Sequence, residues 1–188
     1  MKHNHIKIQK LVLTGLFLAL GYILPFLTGQ IQQIGNMLLP MHLPVLLCGL
    51  IVGWKYGLAI GFLLPITRSL IFTMPPLYPA AIAMAFELAT YGAVIGLLYA
   101  YSKRKTLVSL YFCLISSMLA GRAVWGIVRA VLTLVDVAGL TAGKFTFAIF
   151  LSGAFLEAIP GMILQLILIP AIMLLLQHTR LLPLSEKA

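Results

Sequence analysis

Two arginines inside a long apolar stretch are the residues of this sequence best placed to do chemistry. Arg122 and Arg129 lie within residues 116–136, and a spacing of seven puts both on one helix face, with Trp125 between them. An arginine at the centre of a bilayer costs about 2.5 to 3.5 kcal/mol on insertion scales. Each guanidinium therefore needs a negative partner, either a protein carboxylate or an anionic ligand.

Three more ionisable residues lie in apolar stretches: Arg68, Glu87 and Glu157. Counting residues from the segment ends puts all five near the middle or outer half of a membrane. Three positive and two negative charges leave an excess of one positive charge, which a monovalent carboxylate ligand would neutralise. In the alternative, each glutamate pairs with one arginine, and the third, Arg129, extends towards the membrane surface.

Uncharged polar residues complete the candidate site. The loop of residues 28–36, TGQIQQIGN, is either an ordinary solvated loop or a lid over a ligand. Its candidate lid residues are Gln30, Gln32 and Gln33. The expected substrate contacts are Asn36, His42, Arg68, Glu87, Arg122, Trp125, Arg129 and Gln165. For His42 a purely structural role is the alternative, and for Trp125 it is packing in the core.

The elements that position these residues are membrane spans. The chain has 188 residues, of which 62% are hydrophobic and 9% charged, whereas soluble domains have about 25% charged residues. We predict an all-α membrane protein with one integral domain over residues 1–188. The predicted spans of this six-helix bundle are 11–27, 37–53, 56–73, 80–101, 107–135 and 145–177. Residues 1–10 are interpreted as a basic tail, and residues 54–56 as a tight turn.

Small residues and prolines refine this prediction. Gly15 and Ala19 form a pair spaced by four, a surface that another helix can approach closely. Glycines recur every fourth residue from position 49 to 61, which favours close packing of two spans. The prolines of MPPLYP, residues 74–79, end a helix there. We interpret Cys48 and Cys113, both in apolar runs, as buried thiols.

The basic residues indicate the orientation. Nine of the 13 lysines and arginines fall on the side that would hold both termini, and among the opposite loops only Lys144 is basic. Cytoplasmic loops carry this excess, so both termini are predicted to be cytoplasmic. The net charge of +9 thus reflects topology, and no nucleic-acid partner is expected.

Several classes of function leave no motif in the chain. There is no phosphate-binding G-x-x-x-x-G-K-[ST] loop, no H-E-x-x-H and no G-x-S-x-G, and no Cys/His spacing typical of a metal site. We therefore expect no enzyme activity, no cofactor and no bound metal. Direct ATP binding by that loop is excluded.

The order of these features resembles the substrate-binding S component of energy-coupling factor (ECF) vitamin transporters. The segment GNMLLPMHLPVLLCGLIVGWKYGLAIGFLLP, residues 35–65, is similar to the family's path from the first loop into the third helix. LTGLFLA, residues 13–19, is similar to the small-residue motif of the first helix, with Gly15 where the family usually has alanine. The resemblance extends over nearly the whole chain.

The resemblance implies a function. An S component binds one vitamin from outside under its first loop, and it associates with a membrane scaffold (T) component and two cytoplasmic ATPases. Residues Gly15 and Ala19 would contact the scaffold. The pattern is most like the pantothenate-type members, and pantothenate is a monovalent carboxylate that suits one excess arginine. Pyridoxine, hydroxymethylpyrimidine, folate and riboflavin members share the architecture and remain alternatives. From other classes, a stand-alone proton-coupled carrier and a membrane enzyme or scaffold also remain open.

Overall fold

The computed structural model describes residues 2–27, 37–135, 152–153 and 158–178, and every regular element in these ranges is helical. The helices are α1 (Lys2–Leu27), α2 (His42–Ile51), α3 (Trp54–Phe72), α4 (Ile82–Tyr101), α5 (Leu107–Leu134) and α6 (Ile159–His178). A π-helical turn, Leu77–Ala81, leads into α4. The side chains of residues 2–4 are not among those described.

Length and composition make five of these helices able to cross a membrane, and α2 is a shorter apolar helix of 10 residues. This confirms an all-helical membrane protein with several spans. Within the predicted second span, 37–53, the regular helix is only α2. It is shorter than predicted because a left-handed residue, Leu39 (φ 50°), and a turn at residues 40–41 precede it. Within the predicted sixth span, residues 145–151 and 154–157 lie outside the described residues, and α6 begins at Ile159.

Two expectations about connections were wrong. Residues 2–10 are not a tail but the first turns of α1, since no glycine or proline interrupts that stretch. The reversal between α2 and α3 occurs at Gly53, whose φ of 119° suits glycine, so that Trp54 already begins α3. The interruption predicted at MPPLYP is present, because α3 ends at Phe72 and α4 begins at Ile82.

Glycines bring α2, α3 and α4 into backbone contact. A Cβ atom built on Gly49 would lie 2.6 Å from the carbonyl oxygen of Gly92, and one on Gly57 would lie 2.8 Å from the same atom. On Gly61 it would overlap the backbone of Leu88. These three glycines therefore confirm the close packing expected from their spacing. Gly53, the remaining glycine of the series, has open space around it and forms the turn.

The three glycine-packed helices form the centre of the bundle, and α1, α5 and α6 pack around them. Side chains from all six helices meet in one apolar core, which includes Phe17, Leu46, Leu64, Leu88, Leu114 and Ile169. The turns at residues 52–53 and 102–106 lie at the same end of the bundle, since a Cβ on Gly96 would lie 2.6 Å from the backbone of Trp54. That end holds Lys55 and Lys103–Lys105 and is called the basic end below.

Candidate functional site: a buried charge cluster

The hairpin of α4 and α5 sets two opposite charges at one depth. Glu87 lies 14 residues before the end of α4 at Tyr101, and Arg122 lies 15 residues after the start of α5 at Leu107. At about 1.5 Å per residue, each is about 21 to 22 Å from the basic end. Gly121 lets the two helices approach here, because a Cβ on it would lie 3.2 Å from the carbonyl oxygen of Glu87. The hairpin register therefore pairs Glu87 with Arg122.

His42, Glu87 and Arg122 form one buried cluster, hereafter the charge cluster. Oε1 of Glu87 lies 3.0 Å from Nη1 of Arg122 and 3.4 Å from Nε2 of His42. The three residues are 1%, 1% and 4% exposed. A carboxylate this deeply buried needs a cationic partner, and Arg122 supplies it. Three of the residues predicted to form a site from sequence are thus brought together.

The pairing leaves much of the cluster's hydrogen-bonding capacity unused. Within the part of the chain that the structure describes, Nε and Nη2 of Arg122 have no hydrogen-bond partner, and neither ring nitrogen of His42 has one. Oε1 of Glu87 is close to Arg122 and to His42, but neither contact has the geometry of a hydrogen bond. Buried polar groups ordinarily have hydrogen-bond partners, since burying such a group without a partner costs about 1 to 3 kcal/mol. The cluster therefore has N–H and imidazole groups that remain available to a further polar group.

A hydrogen bond from a side chain of α6 helps to position His42. The carbonyl oxygen of Leu39 accepts a hydrogen bond from the backbone N–H of His42 at 3.1 Å and lies 3.4 Å from Nε2 of Gln165, which donates to it. Gly161 lets α6 approach closely, because a Cβ on it would lie 2.6 Å from the carbonyl oxygen of Met37. In the described structure Gln165 therefore holds the turn that begins α2, and its contact with a substrate stays a prediction.

Arg68 lies elsewhere in the described structure. Its Nη1 donates to the carbonyl oxygen of Tyr22 at 3.0 Å, and its guanidinium carbon lies 5.3 Å from the ring centroids of both Phe26 and Phe72. Glu87 is the one carboxylate among the described residues, and the ion pairs found there join it to Arg122 and His42 only. Arg68 thus connects α1 to α3, and its predicted contact with a substrate is untested.

The remaining predicted residues fall into two groups. Arg129, half-buried, lies about two turns beyond Arg122 on α5, and the ring of half-buried Trp125 lies against Gly153, where a Cβ would be 3.3 Å away. The others lie outside the described residues: Gln30, Gln32, Gln33, Asn36 and Glu157. Ligand contact by Asn36, Trp125 and Arg129 stays a prediction, as do the lid role of the three glutamines and the pairing of Glu157 with an arginine.

Tyr91 is a member of the site that the sequence analysis did not include. Its ring packs edge-on against His42, with the centroids 5.1 Å apart, and the residue is 1% exposed. A Cβ on Gly121 would lie 3.0 Å from this ring. The spacing was a usable signal, since Tyr91 follows Glu87 by four residues on α4 and must share its face. Tyr91 gives the cluster an aromatic wall.

The cluster can bind an anion and exchange a proton. Within the described structure, Nε and Nη2 of Arg122 have no hydrogen-bond partner and together present a planar fork that matches a carboxylate. A histidine beside a carboxylate can carry a proton. Among the described residues no group of three or more His, Cys, Asp or Glu side chains could hold a metal ion.

Comparison with known proteins adds one finding. A family model described as "ECF transporter, substrate-specific component" matches residues 9–173, which is most of the chain and includes the whole charge cluster. Searches of curated proteins and of solved structures each returned no match.

Proposed function

Because the chain belongs to the family of ECF transporter substrate-specific components, we propose that it captures a small water-soluble anionic vitamin at the charge cluster. Pantothenate is the best candidate. The captured vitamin would pass inward through a shared module made of a membrane scaffold component and two cytoplasmic ATPases. The observation that carries the proposal is the guanidinium of Arg122, which is buried and has two N–H groups without partners among the described residues.

The chemistry of the cluster favours a carboxylate ligand with additional polar groups. The Nε and Nη2 groups of Arg122 can together hold both oxygens of one carboxylate. His42 offers two further nitrogens, and Trp125 and Tyr91 supply apolar surface nearby. Pantothenate has one carboxylate, two hydroxyls and an amide, which would also suit Asn36 and the glutamines of the first loop. Pyridoxine, hydroxymethylpyrimidine and riboflavin lack the carboxylate, and folate is much larger than the compact cluster.

The topology proposal follows from the helices and the charges. The described residues include five helices long enough to span a membrane and the shorter α2; we propose that α2 is a sixth span, which would put both termini on the side of the basic end. We propose that this side is cytoplasmic, since basic residues concentrate on the cytoplasmic side. That the membrane is the bacterial plasma membrane is what the resemblance to ECF vitamin transporters implies. The charge cluster, about 21 to 22 Å from the basic end, then lies nearer the outside. This depth suits capture from outside.

The proposed contact with the scaffold component is on α1. Gly15 and Ala19 are both exposed, and a Cβ built on Gly15 would meet nothing within 4 Å. Small residues on an open helix face let a second helix approach closely. The free face supports assembly with a partner helix.

A binding experiment tests the proposal. Isothermal titration of the purified protein with pantothenate should give saturable binding, and pyridoxine and riboflavin should not compete. Arg122→Ala should weaken the affinity by at least about 30-fold, because it removes a buried charge that pairs with the ligand. The exposed Arg104→Ala is the matched control and should bind as the wild type does.

Two results would contradict the proposal. If Arg122→Ala binds pantothenate as tightly as the wild type, the cluster is not the site. Pantothenate uptake driven by a proton gradient in liposomes that contain this protein alone would instead favour a stand-alone carrier. Native mass spectrometry of the freshly purified protein adds an unbiased check, because a retained vitamin would be identified by its mass.

A further inference from the structure

The charge cluster is balanced before any ligand arrives. Glu87 contributes one negative charge and Arg122 one positive charge, 3.0 Å apart, and a neutral His42 adds none. The three side chains are almost wholly buried. A monovalent anion that binds to the free N–H groups of Arg122 would therefore introduce an uncompensated negative charge into a buried site. Such a charge is costly unless a positive charge accompanies it.

His42 is placed to supply that positive charge. Its Nε2 lies 3.4 Å from Oε1 of Glu87, and neither of its ring nitrogens has a hydrogen-bond partner among the described residues. A protonated imidazole donates from both nitrogens, so one N–H can face Glu87 while the other faces the ligand. A neutral imidazole donates from only one.

We propose that the site binds its carboxylate ligand together with one proton from the solvent, and that His42 holds this proton. The inference rests on the proposed function, since it requires an anionic ligand at the charge cluster. The step is a simple protonation: a hydronium ion gives up its proton, a lone pair of His42 forms the new N–H bond, and water is released. The loaded cluster then holds two positive and two negative charges.

The charged and titratable neighbours of His42 define the alternatives. Glu87 and Tyr91 face it from α4, and Arg122 approaches from α5. The α6 residue near it is Gln165, which does not titrate. Glu87 would be the other acceptor for the proton. Arg129, about two turns along α5, is the cation that would make a proton unnecessary if it reached the ligand.

Titration calorimetry can count the proton. Pantothenate is titrated into the purified full-length protein at one neutral pH in phosphate and in Tris, two buffers that release a proton with very different heats. The difference in observed heat gives the number of protons taken up per ligand. We expect about one for the wild type, and an affinity that falls by up to about tenfold per unit of rising pH. Panthenol, in which a hydroxymethyl group replaces the carboxylate, should bring no proton if it binds.

Three variants locate the proton. His42→Gln should still bind pantothenate, but more weakly and with uptake of about zero protons. The matched control is His178→Gln, an exposed position, which should take up about one proton. Glu87→Gln removes the negative charge that pairs with Arg122, so the charge of Arg122 can balance the ligand alone. This variant should therefore bind pantothenate without taking up a proton. Glu87→Gln keeps the inference testable even if His42→Gln does not fold.

The outcomes separate the inference from the proposed function. Wild-type binding without proton uptake overturns the inference alone, as does a full proton taken up by His42→Gln, which would place the proton on Glu87. If neither pantothenate nor two other vitamin carboxylates, biotin and nicotinate, bind to the wild type, both the anion site and the proton uptake are refuted.

Discussion

Glu87 determines how much of the Arg122 charge remains for a ligand. It stabilises an arginine that would otherwise be buried without a counter-charge. It contacts Nη1, whereas Nε and Nη2 have no hydrogen-bond partner among the described residues. A bidentate pair would have used two N–H groups of the guanidinium fork, and a ligand would then have to break it. With the single close contact that is present, a carboxylate bound as we propose would not have to break the pair.

Arg68 allows a prediction about stability. It is 3% exposed, donates to Tyr22 and lies over the rings of Phe26 and Phe72. Arg68→Gln should lower the stability by about 1 to 3 kcal/mol, because it removes a charged hydrogen bond and two cation–π contacts. The midpoint of thermal unfolding in detergent measures this change, and Arg104→Gln in the exposed basic turn is the control. Equal midpoints for the two variants would contradict the conclusion that Arg68 stabilises the contact between α1 and α3.

The same variant tests the earlier expectation that Arg68 contacts the ligand. A folded Arg68→Gln protein that loses pantothenate affinity far beyond its loss of stability would support ligand contact. Unchanged affinity would leave Arg68 as a link between α1 and α3.

Part of the site follows from counting residues. Positions 87 and 122 are nearly equidistant from the basic turn at 102–106, so an antiparallel hairpin must bring Glu87 and Arg122 to one level. Arg68 lies 14 residues beyond the start of α3, at a similar depth, but its guanidinium reaches α1. Depth depends on rise per residue, which is fixed. The neighbour that a long side chain reaches depends on the lateral arrangement of helices, which the sequence does not reveal.

At the scale of elements, glycines fix how close the central helices lie. The backbones of α2, α3 and α4 touch at Gly49, Gly57 and Gly92, so that no side chain separates them. This contact is rigid because backbone cannot move aside as a flexible side chain can. It holds α4, and with it Glu87, at a fixed distance from α2, which begins with His42.

Two glycine variants test this packing with identical chemistry. Gly92→Ala should destabilise the protein by about 1 to 3 kcal/mol, since the new methyl group would overlap the backbone of Gly57. Gly15→Ala is the matched control: its methyl group enters open space, and alanine favours a helix by up to about 1 kcal/mol over glycine. Thermal midpoints in detergent should therefore shift in opposite directions. A Gly92→Ala midpoint at or above that of the wild type would refute the contact.

The elements were largely predictable because apolar runs and breakers are local signals. The long helices and the interruption at MPPLYP follow from them. The turn between α2 and α3 was predicted at residues 54–56, one to three residues after its position at Gly53. The aromatic residues there suggested an interfacial turn, but they form the first turn of α3. The position of His42 was not predictable, because it depends on a left-handed Leu39 and on Gln165, which lies 126 residues after Leu39 in the chain.

At the scale of the whole molecule, the outer faces of the helices are apolar. Large exposed side chains occur along α1, α3, α5 and α6, and they include Leu11, Leu70, Ile127 and Ile167. In a membrane these faces contact lipid, so their hydrophobicity alone identifies no partner. The face of α1 differs because Gly15 and Ala19 leave a shallow strip among its larger side chains.

This strip leads to the last prediction. Gly15→Trp or Ala19→Trp should fill it and reduce copurification with a co-expressed scaffold component by at least about tenfold, since a bulky ring keeps a second helix from close approach. Pantothenate affinity of the isolated variants should stay unchanged, because the strip lies on the outer surface while the charge cluster is buried. Ile127→Trp, on the exposed face of α5, is the matched control and should assemble normally. If all three variants assemble equally well, the partner binds another face. If only the control fails, that face is on α5.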